Sequence, residues 1–158
     1  MCYSDYAVKT CEKIDLNIRN STWEALPDMV EARSSFNPCL FTEYVYLCGY
    51  YSGLVEVFSP QTDSFLPFQL QLPEVSNCCV YVHNNSLVVH SYGYLTQFSA
   101  GQAGHLIPLS QSCCPTPISK YSNCHPVLHP TRSLFFLFQE CECVSFKMET
   151  GVLVQEFS

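Results

Sequence analysis

The chain has 158 residues, enough for one domain with a substantial core, and 47% of them are hydrophobic while only 13% are charged. This composition excludes an intrinsically disordered protein. The formal net charge of -7, with only seven Lys and Arg residues, argues against nucleic acid as a partner because phosphate binding needs a basic surface.

The first residues, "MCYSDYAVKTCEKIDL", lack the basic segment and apolar run of a secretory signal. No apolar stretch approaches the roughly 20 residues that span a bilayer, so we expect no membrane partner. The chain contains eleven cysteines without a fixed spacing. Their odd number favours free thiols in a reducing compartment over a disulfide framework, and we therefore expect a cytoplasmic protein.

In chain order, the only helical propensity lies in "WEALPDMVEA", which Pro27 interrupts. The remaining segments favour β-strands because they are rich in Val, Leu, Phe and Tyr: "LFTEYVYLCGYY", "LVEVFS", "CCVYVHNNSLVVHSYGYLTQFS" and "RSLFFLFQECECVSF". Turn clusters such as "SPQTDS", "HNNS", "SAGQAG" and "METG" separate them. Many short strands with regular turns predict an all-β sandwich, barrel or propeller.

Two sets of positions suggest an internal repeat of forty-odd residues. A leading residue, followed by a turn and then by a residue seven positions later, recurs at Leu16, Phe58, Phe98 and Phe146, at intervals of 42, 40 and 48 residues. The residues seven positions later are Trp23, Phe65, His105 and Leu153. The middle of the preceding strand falls at Tyr46, Val88 and Phe136, which are 12, 10 and 10 residues before their leading residues.

Each repeat offers about four short strands, which predicts one small antiparallel sheet per repeat. Such a sheet cannot bury both faces alone, whereas copies packed face to face around an axis form a β-propeller. We expect Trp23 and Phe65 to pack between neighbouring sheets. The predicted units are residues 1–30, the end of one blade, and three blades at 31–74, 75–112 and 113–158.

The best copy resembles the Kelch repeat: "EARSSF" matches its arginine-containing lead-in, "YVYLCGY" its glycine-terminated strand and "VEVFSPQTD" its turn, with Phe65 in the place of tryptophan. The double glycine is absent, and the later copies depart further. The resemblance implies Kelch-type blades of four antiparallel strands. Kelch propellers usually have six or seven blades, so we expect a partial propeller or a segment of a longer one, closed by missing blades or by self-association.

In similar Kelch domains the lead-in contributes basic and hydroxyl groups to the mouth of the central channel, which suggests that Arg33 and Ser35 bind a partner. The alternative for Arg33 is a structural ion pair between blades. Tyr50 and Tyr51 follow Gly49 on a strand-to-strand loop, and Tyr92 occupies the matching place in the next copy. Exposed tyrosines would be good interface anchors, but packing between blades is an equal alternative.

The sequence gives weaker indications of a metal-binding or catalytic site than of a binding surface. Cys141 and Cys143 are too close for paired zinc ligands, and a site of Cys124, His125 and His129 has little support, so we expect no metal and no cofactor. No phosphate-binding loop, nucleophile elbow or zinc-protease motif occurs. The carboxylates that could face one another across a propeller mouth are Glu31, Glu43, Glu56, Glu74, Glu140 and Glu142.

The resemblance to Kelch propellers implies a protein–protein interaction module that presents its loops to a protein or peptide partner. Adaptor, ubiquitin-ligase substrate-receptor and cytoskeletal roles all stay open. We expect no enzyme. The alternative function is an enzyme on the same scaffold, such as an oxidase or a sugar-processing enzyme, which would need a carboxylate or metal cluster at the channel mouth.

Overall fold

The structure is a computed structural model, and it describes an all-β chain. The described residues are 7–33, 36–49, 52–67, 70–72, 79–91, 94–113, 127–128, 134–139, 142–149 and 152–157. Within these ranges there is no α-helix, only a single 3₁₀ turn at Gln102–Gly104. In this part of the chain, no helix has the length and apolarity that crossing a membrane requires.

The strands form a hairpin and three larger antiparallel sheets. The N-terminal hairpin comprises β1 (Cys11–Lys13) and β2 (Glu24–Leu26). The first sheet comprises β3 (Phe36–Phe41), β4 (Tyr44–Gly49), β5 (Ser52–Ser59), β6 (Ser64–Phe65) and β7 (Leu70–Gln71). The second sheet comprises β8 (Cys79–His83), β9 (Ser86–Ser91), β10 (Tyr94–Ala100) and β11 (Leu106–Cys113). The third sheet comprises β12 (Val127–Leu128), β13 (Leu134–Gln139), β14 (Glu142–Glu149) and β15 (Val152–Phe157).

The three sheets share one topology, because in each of them four consecutive strands pair with their neighbours in chain order. In the first sheet, β7 adds a short pairing with β5. The unit boundaries predicted from the sequence, which place breaks at residues 31, 75 and 113, stay a prediction. The second sheet extends to Cys113, at the predicted start of the next unit.

The predicted repeat is confirmed where the second and third strands of each sheet pair. Phe58, Phe98 and Phe146 lie on the third strand of their sheets. The mid-strand positions of the second strands pair with the residue directly before these phenylalanines: Tyr46 with Val57, Val88 with Gln97 and Phe136 with Ser145. The register of the central pair is therefore the same in all three sheets.

The pairing of the third strand with the fourth is not shared. Phe58 pairs with Phe65, seven residues later, but Phe98 pairs with Pro108 and Phe146 with Gln155. The connections differ in length, and a register shift within β10–β11 and another within β14–β15 add to the difference. The spacing of seven residues therefore indicates the turn between the third and fourth strands, but it does not determine which residue of the fourth strand pairs with the phenylalanine.

The N-terminal hairpin departs from the repeat. Leu16 lies in its turn, 87% exposed, rather than on a strand. Trp23 is 64% exposed, so its expected position between sheets is wrong. The strand pairing ends at Lys13 and Glu24. Leu16 therefore lies within the long connection and Trp23 at its end, and both side chains are mostly exposed instead of packed against a neighbouring sheet.

Both faces of the central strands are buried, which requires a layer on each side of the sheet. Val55, Glu56 and Val57 are at most 1% exposed although successive side chains on a strand point to opposite faces. Val55 and Val57 join one apolar cluster with Leu87 and Val89 of the second sheet. The first and second sheets therefore bury their facing sides against each other.

The turn between β8 and β9 shows why the local sequence forms hairpins. His83 pairs with Ser86, and the two residues between them, Asn84 and Asn85, have φ angles of 46° and 57°. Two-residue hairpin connections favour positive φ at both positions, and asparagine adopts that conformation at little cost. "HNNS" was therefore a correct turn prediction.

Candidate functional site

Arg33 forms a buried ion pair with Glu56 of β5. Its Nε and one terminal nitrogen donate to the same Glu56 oxygen at 3.2 and 2.8 Å, and that terminal nitrogen also donates to the Leu54 carbonyl at 2.9 Å. The other Glu56 oxygen accepts the backbone N–H of Val30 at 2.6 Å. The two charged side chains are 0% and 2% exposed.

This pair attaches the N-terminal segment to the first sheet. The backbone of Arg33 exchanges hydrogen bonds with Val8 at 2.9 and 3.0 Å, and the Met29 N–H donates to the Lys9 carbonyl at 2.9 Å. Because Glu56 projects from the face opposite Val55 and Val57, the segment covers the side of the sheet that the second sheet leaves free.

Arg33 therefore adopts the structural role that the sequence left open as an alternative. The guanidinium is fully buried and presents no surface to a partner in this conformation. Its remaining terminal nitrogen has no hydrogen-bond partner among the described residues. Arg33 can still matter for binding by fixing the position of the chain that leads into β3.

The other predicted contact residues, Ser35, Tyr50, Tyr51 and Tyr92, lie outside the described residues. The strands that flank them are described. Phe36 pairs with Gly49, which in turn pairs with Ser52, so the start of β3, the end of β4 and the start of β5 meet at one end of the first sheet. In the second sheet, Ser91 pairs with Tyr94 at the corresponding end.

The first and second sheets are also joined by a polar contact that sequence reasoning missed. The hydroxyl of Tyr46 donates to the Gly104 carbonyl at 2.9 Å, and burial raises the pKa of Tyr46 to about 12. Gly104 has a φ of +78°, and a Cβ at this position would lie 2.7 Å from Leu66. Both features favour glycine where this turn approaches the first sheet.

Two histidines of the second sheet are buried. His83 and His90 are each 6% exposed. Burial lowers the pKa of His83, and it lowers the pKa of His90 to about 4. Both imidazoles are therefore neutral at physiological pH, as a core position requires.

Among the residues that the structure describes, no three His, Cys, Asp or Glu side chains come close enough to hold a metal ion. Cys11 and Cys39 are free thiols. Burial raises the pKa of Cys11 and Cys39, which keeps them protonated at neutral pH. The cysteines and histidines weighed as zinc ligands, at positions 124, 125, 129, 141 and 143, lie outside the described side chains.

Of the carboxylates considered for catalysis, Glu56 is engaged by Arg33 and Val30. Sequence reasoning named both members of this ion pair without joining them. The available signal was an acidic residue within the otherwise apolar strand "LVEVF", since a charge buried between two layers needs a partner.

Comparisons with known proteins show the fold. The structure of YjhT matches with a TM-score of 0.62 and 14% identity over 94% of this chain and 58% of that one. A protein from Lactobacillus plantarum matches with a TM-score of 0.59 and 17% identity over 98% of this chain and 50% of that one. Both are β-propeller-like structures. This chain has a β-propeller-type fold.

The chain spans between half and three-fifths of the length of these two structures, so its sheets correspond to part of a propeller. No family model matches the sequence. No curated protein matches it either. At identities of 14% and 17%, the similarity to the two solved structures extends to the fold and not to their activities.

Proposed function

We propose that the protein is a protein–protein interaction module that binds a protein or peptide partner at one end of its sheets. The observation that carries this proposal is the shared register of the sheets. It brings the lead-in to β3, the β4–β5 connection and the β9–β10 connection to the corresponding end of their sheets. Consecutive blades of a propeller expose such connections on a common surface.

Ser35, Tyr50, Tyr51 and Tyr92 fall in these segments of the chain. Tyrosines suit an interface because each combines a large apolar ring with a polar tip, and aromatic anchors carry much of the binding energy in many interfaces. Ser35 adds a hydroxyl that can donate to or accept from a peptide backbone. Arg33 holds the end of the N-terminal segment on the first sheet through Glu56.

The Kelch resemblance of residues 31–65 supports the same class of function. It extends to an adaptor, substrate-receptor or cytoskeletal role, without favouring one of them. The free thiols at Cys11 and Cys39 fit the proposed location in a reducing compartment such as the cytoplasm. The alternative function, an enzyme on a propeller scaffold, stays a prediction from the sequence.

Affinity capture with the intact chain tests the proposal. Tyr50→Ala and Tyr92→Ala alter the proposed binding end, while Glu43→Ala alters an exposed residue in the β3–β4 turn at the opposite end of the first sheet. We expect both tyrosine variants to lose a partner that wild type and Glu43→Ala retain. Circular dichroism and thermal unfolding must show that all four proteins are equally folded.

The proposal fails if a specific partner is captured equally by all four proteins, because binding then occurs elsewhere. It also fails if Glu43→Ala alone loses the partner, which would place binding at the other end of the sheet. Arg33→Ala is not a suitable probe, since it leaves the buried Glu56 carboxylate without its guanidinium and perturbs folding.

A further inference from the structure

Residues 7–33, which we call the strap, lie on the first sheet without joining it. The two strands of the strap, β1 and β2, pair with each other and with no other strand that the structure describes. An isolated two-stranded hairpin is marginally stable in water. The strap therefore depends on its contacts with the first sheet to stay folded.

Buried apolar side chains contribute little to the attachment of the strap. All residues of the strap are described, and Met29 and Arg33 are the two among them that are buried. The large apolar side chains that are between 49% and 87% exposed are Val8, Leu16, Ile18, Trp23 and Val30. Because hydrophobic stabilisation scales with the apolar area that is buried, the strap is held less firmly than the first and second sheets hold each other.

The main contact between the strap and the first sheet is the buried pair of Arg33 and Glu56. Glu56 accepts from Arg33 at 2.8 Å and from the Val30 N–H at 2.6 Å. Lys13 also pairs with Asp63, but these two side chains are 42% and 44% exposed, and exposed ion pairs stabilise little. The attachment is therefore concentrated at one buried polar contact.

We propose that the strap is a lid, which detaches from the first sheet as a unit while the sheets stay folded. Segments that bury little apolar surface open at a lower free energy than the core of the same protein. Within the strap, Val8 bonds to Arg33 and Lys9 to Met29. Once the strap is released, these bonds belong to an unsupported hairpin and break together.

Release of the strap uncovers an apolar strip of the first sheet. Leu47 pairs with Glu56, so the two share a face, and Leu54 lies on that face by strand alternation. Leu47 and Leu54 are 7% and 6% exposed, although neither belongs to the cluster that packs against the second sheet. The strap therefore controls access to Leu47, Leu54 and the Glu56 carboxylate.

Hydrogen exchange of the intact chain, resolved by NMR, measures the opening of the strap. Its reporters are the amides of Val8, Met29 and Arg33, which donate to carbonyl groups within the strap. The reporters of the core are the amides of β9, which pairs with β8 on one edge and with β10 on the other. We expect the strap amides to be protected, but by a factor at least about tenfold smaller than that of the β9 amides.

Tyr46→Phe distinguishes release of the strap from unfolding of the whole protein. Tyr46 lies on the face of the first sheet that packs against the second sheet, where its hydroxyl donates to Gly104. This contact is present whether the strap is closed or released. We expect Tyr46→Phe to lower the protection of the β9 amides at least about fivefold and to leave that of the strap amides unchanged.

Glu56→Gln tests whether the buried ion pair holds the strap, and Glu24→Gln is the matched control. Glu24 belongs to the strap and lies in an exposed pair with Lys13. We expect Glu56→Gln to lower the protection of the strap amides at least about tenfold, and Glu24→Gln to lower it less than about threefold. The β9 amides also lose protection in Glu56→Gln, because unfolding of the whole protein includes release of the strap.

Four results would overturn the proposal. Equal protection of the strap and β9 amides in wild type, or a parallel loss in Tyr46→Phe, shows that the strap opens only when the whole protein unfolds. Strap amides without protection in wild type show that the strap is not closed. Strap protection that falls no further in Glu56→Gln than in Glu24→Gln shows that the buried pair does not hold the strap. Wild type and Tyr46→Phe decide the question if Glu56→Gln does not fold.

Discussion

Glu56→Gln should remove much of the stability of this protein, because it neutralises the counter-charge of a fully buried guanidinium. The wild-type carboxylate accepts from Arg33 at 2.8 and 3.2 Å and from the Val30 N–H at 2.6 Å, and neither charged side chain is more than 2% exposed. Removing one partner of a buried ion pair typically costs about 3–5 kcal/mol. That is a large fraction of the roughly 5–15 kcal/mol that stabilises a typical domain.

Urea unfolding followed by circular dichroism measures this loss. Glu24→Gln makes the same chemical change in an exposed pair, since Glu24 lies 3.7 Å from Lys13 with 68% of its side chain exposed. We expect the control to change the free energy of unfolding by less than about 1 kcal/mol. Equal effects of Glu56→Gln and Glu24→Gln would refute the assignment of Arg33 and Glu56 to a buried structural pair.

A double-mutant cycle separates the pair from its surroundings. Arg33→Met combined with Glu56→Leu removes both charges, although the Val30 N–H and the Leu54 carbonyl also lose their partners. We expect the double variant to lose less stability than the sum of the two single variants, with a coupling free energy of at least about 1 kcal/mol. Additive losses would mean that Arg33 and Glu56 act independently.

Three further predictions concern the second sheet and its contact with the first. The free energy of unfolding should fall by about 3 kcal/mol through His90 as the pH decreases from 6.5 to 4. In the folded state His90 stays neutral down to its pKa of about 4, whereas in the unfolded chain the same imidazole is protonated below about pH 6.5. His90→Gln should flatten this slope, with the lowered pKa of His83 accounting for a remainder, and an unchanged slope in unfolding titrations would contradict the assignment. Tyr46→Phe should cost about 1–2 kcal/mol in urea unfolding by leaving the Gly104 carbonyl without its donor, and a neutral result would argue against that hydrogen bond. Gly104→Ala should destabilise by at least about 1 kcal/mol in the same assay, because its φ is +78° and its Cβ would meet Leu66, so a stabilised variant would contradict this turn geometry.

The repeat could be predicted from the sequence in the long apolar strands, where the pattern is strongest. It could not be predicted where the connections between strands differ in length. Tyr46, Val88 and Phe136 could be aligned because they lie in long apolar strands whose central register is shared. The fourth-strand partners of Phe98 and Phe146 could not, since differences in connection length and two register shifts change the pairing without changing the local composition. The prediction that Trp23 packs between sheets failed for a related reason. The spacing of Trp23 matched the repeat, but the strand pairing of the hairpin ends at Glu24, next to it.

At the candidate site, too, the sequence predicted which residues matter but not how they are packed. Arg33 was recognised as a residue with a special role, but composition could not tell a binding guanidinium from a buried one. The decision depends on Glu56, which is 23 residues away in the chain and faces Arg33 only after the N-terminal segment packs on the first sheet. The sequence places Tyr50, Tyr51 and Tyr92 in strand connections, and their proposed role in binding awaits the capture experiment.

Residue alternation, turn residues and the forty-odd-residue spacing were sufficient to determine that this chain forms successive small antiparallel sheets, because these features act over a few neighbouring residues. Tertiary structure alone decided which side chains the layers bury, that Arg33 and Glu56 meet, and that Tyr46 reaches Gly104. The physical reason is that these contacts join residues far apart in the chain, whose distance is set by how the sheets pack and not by any local preference.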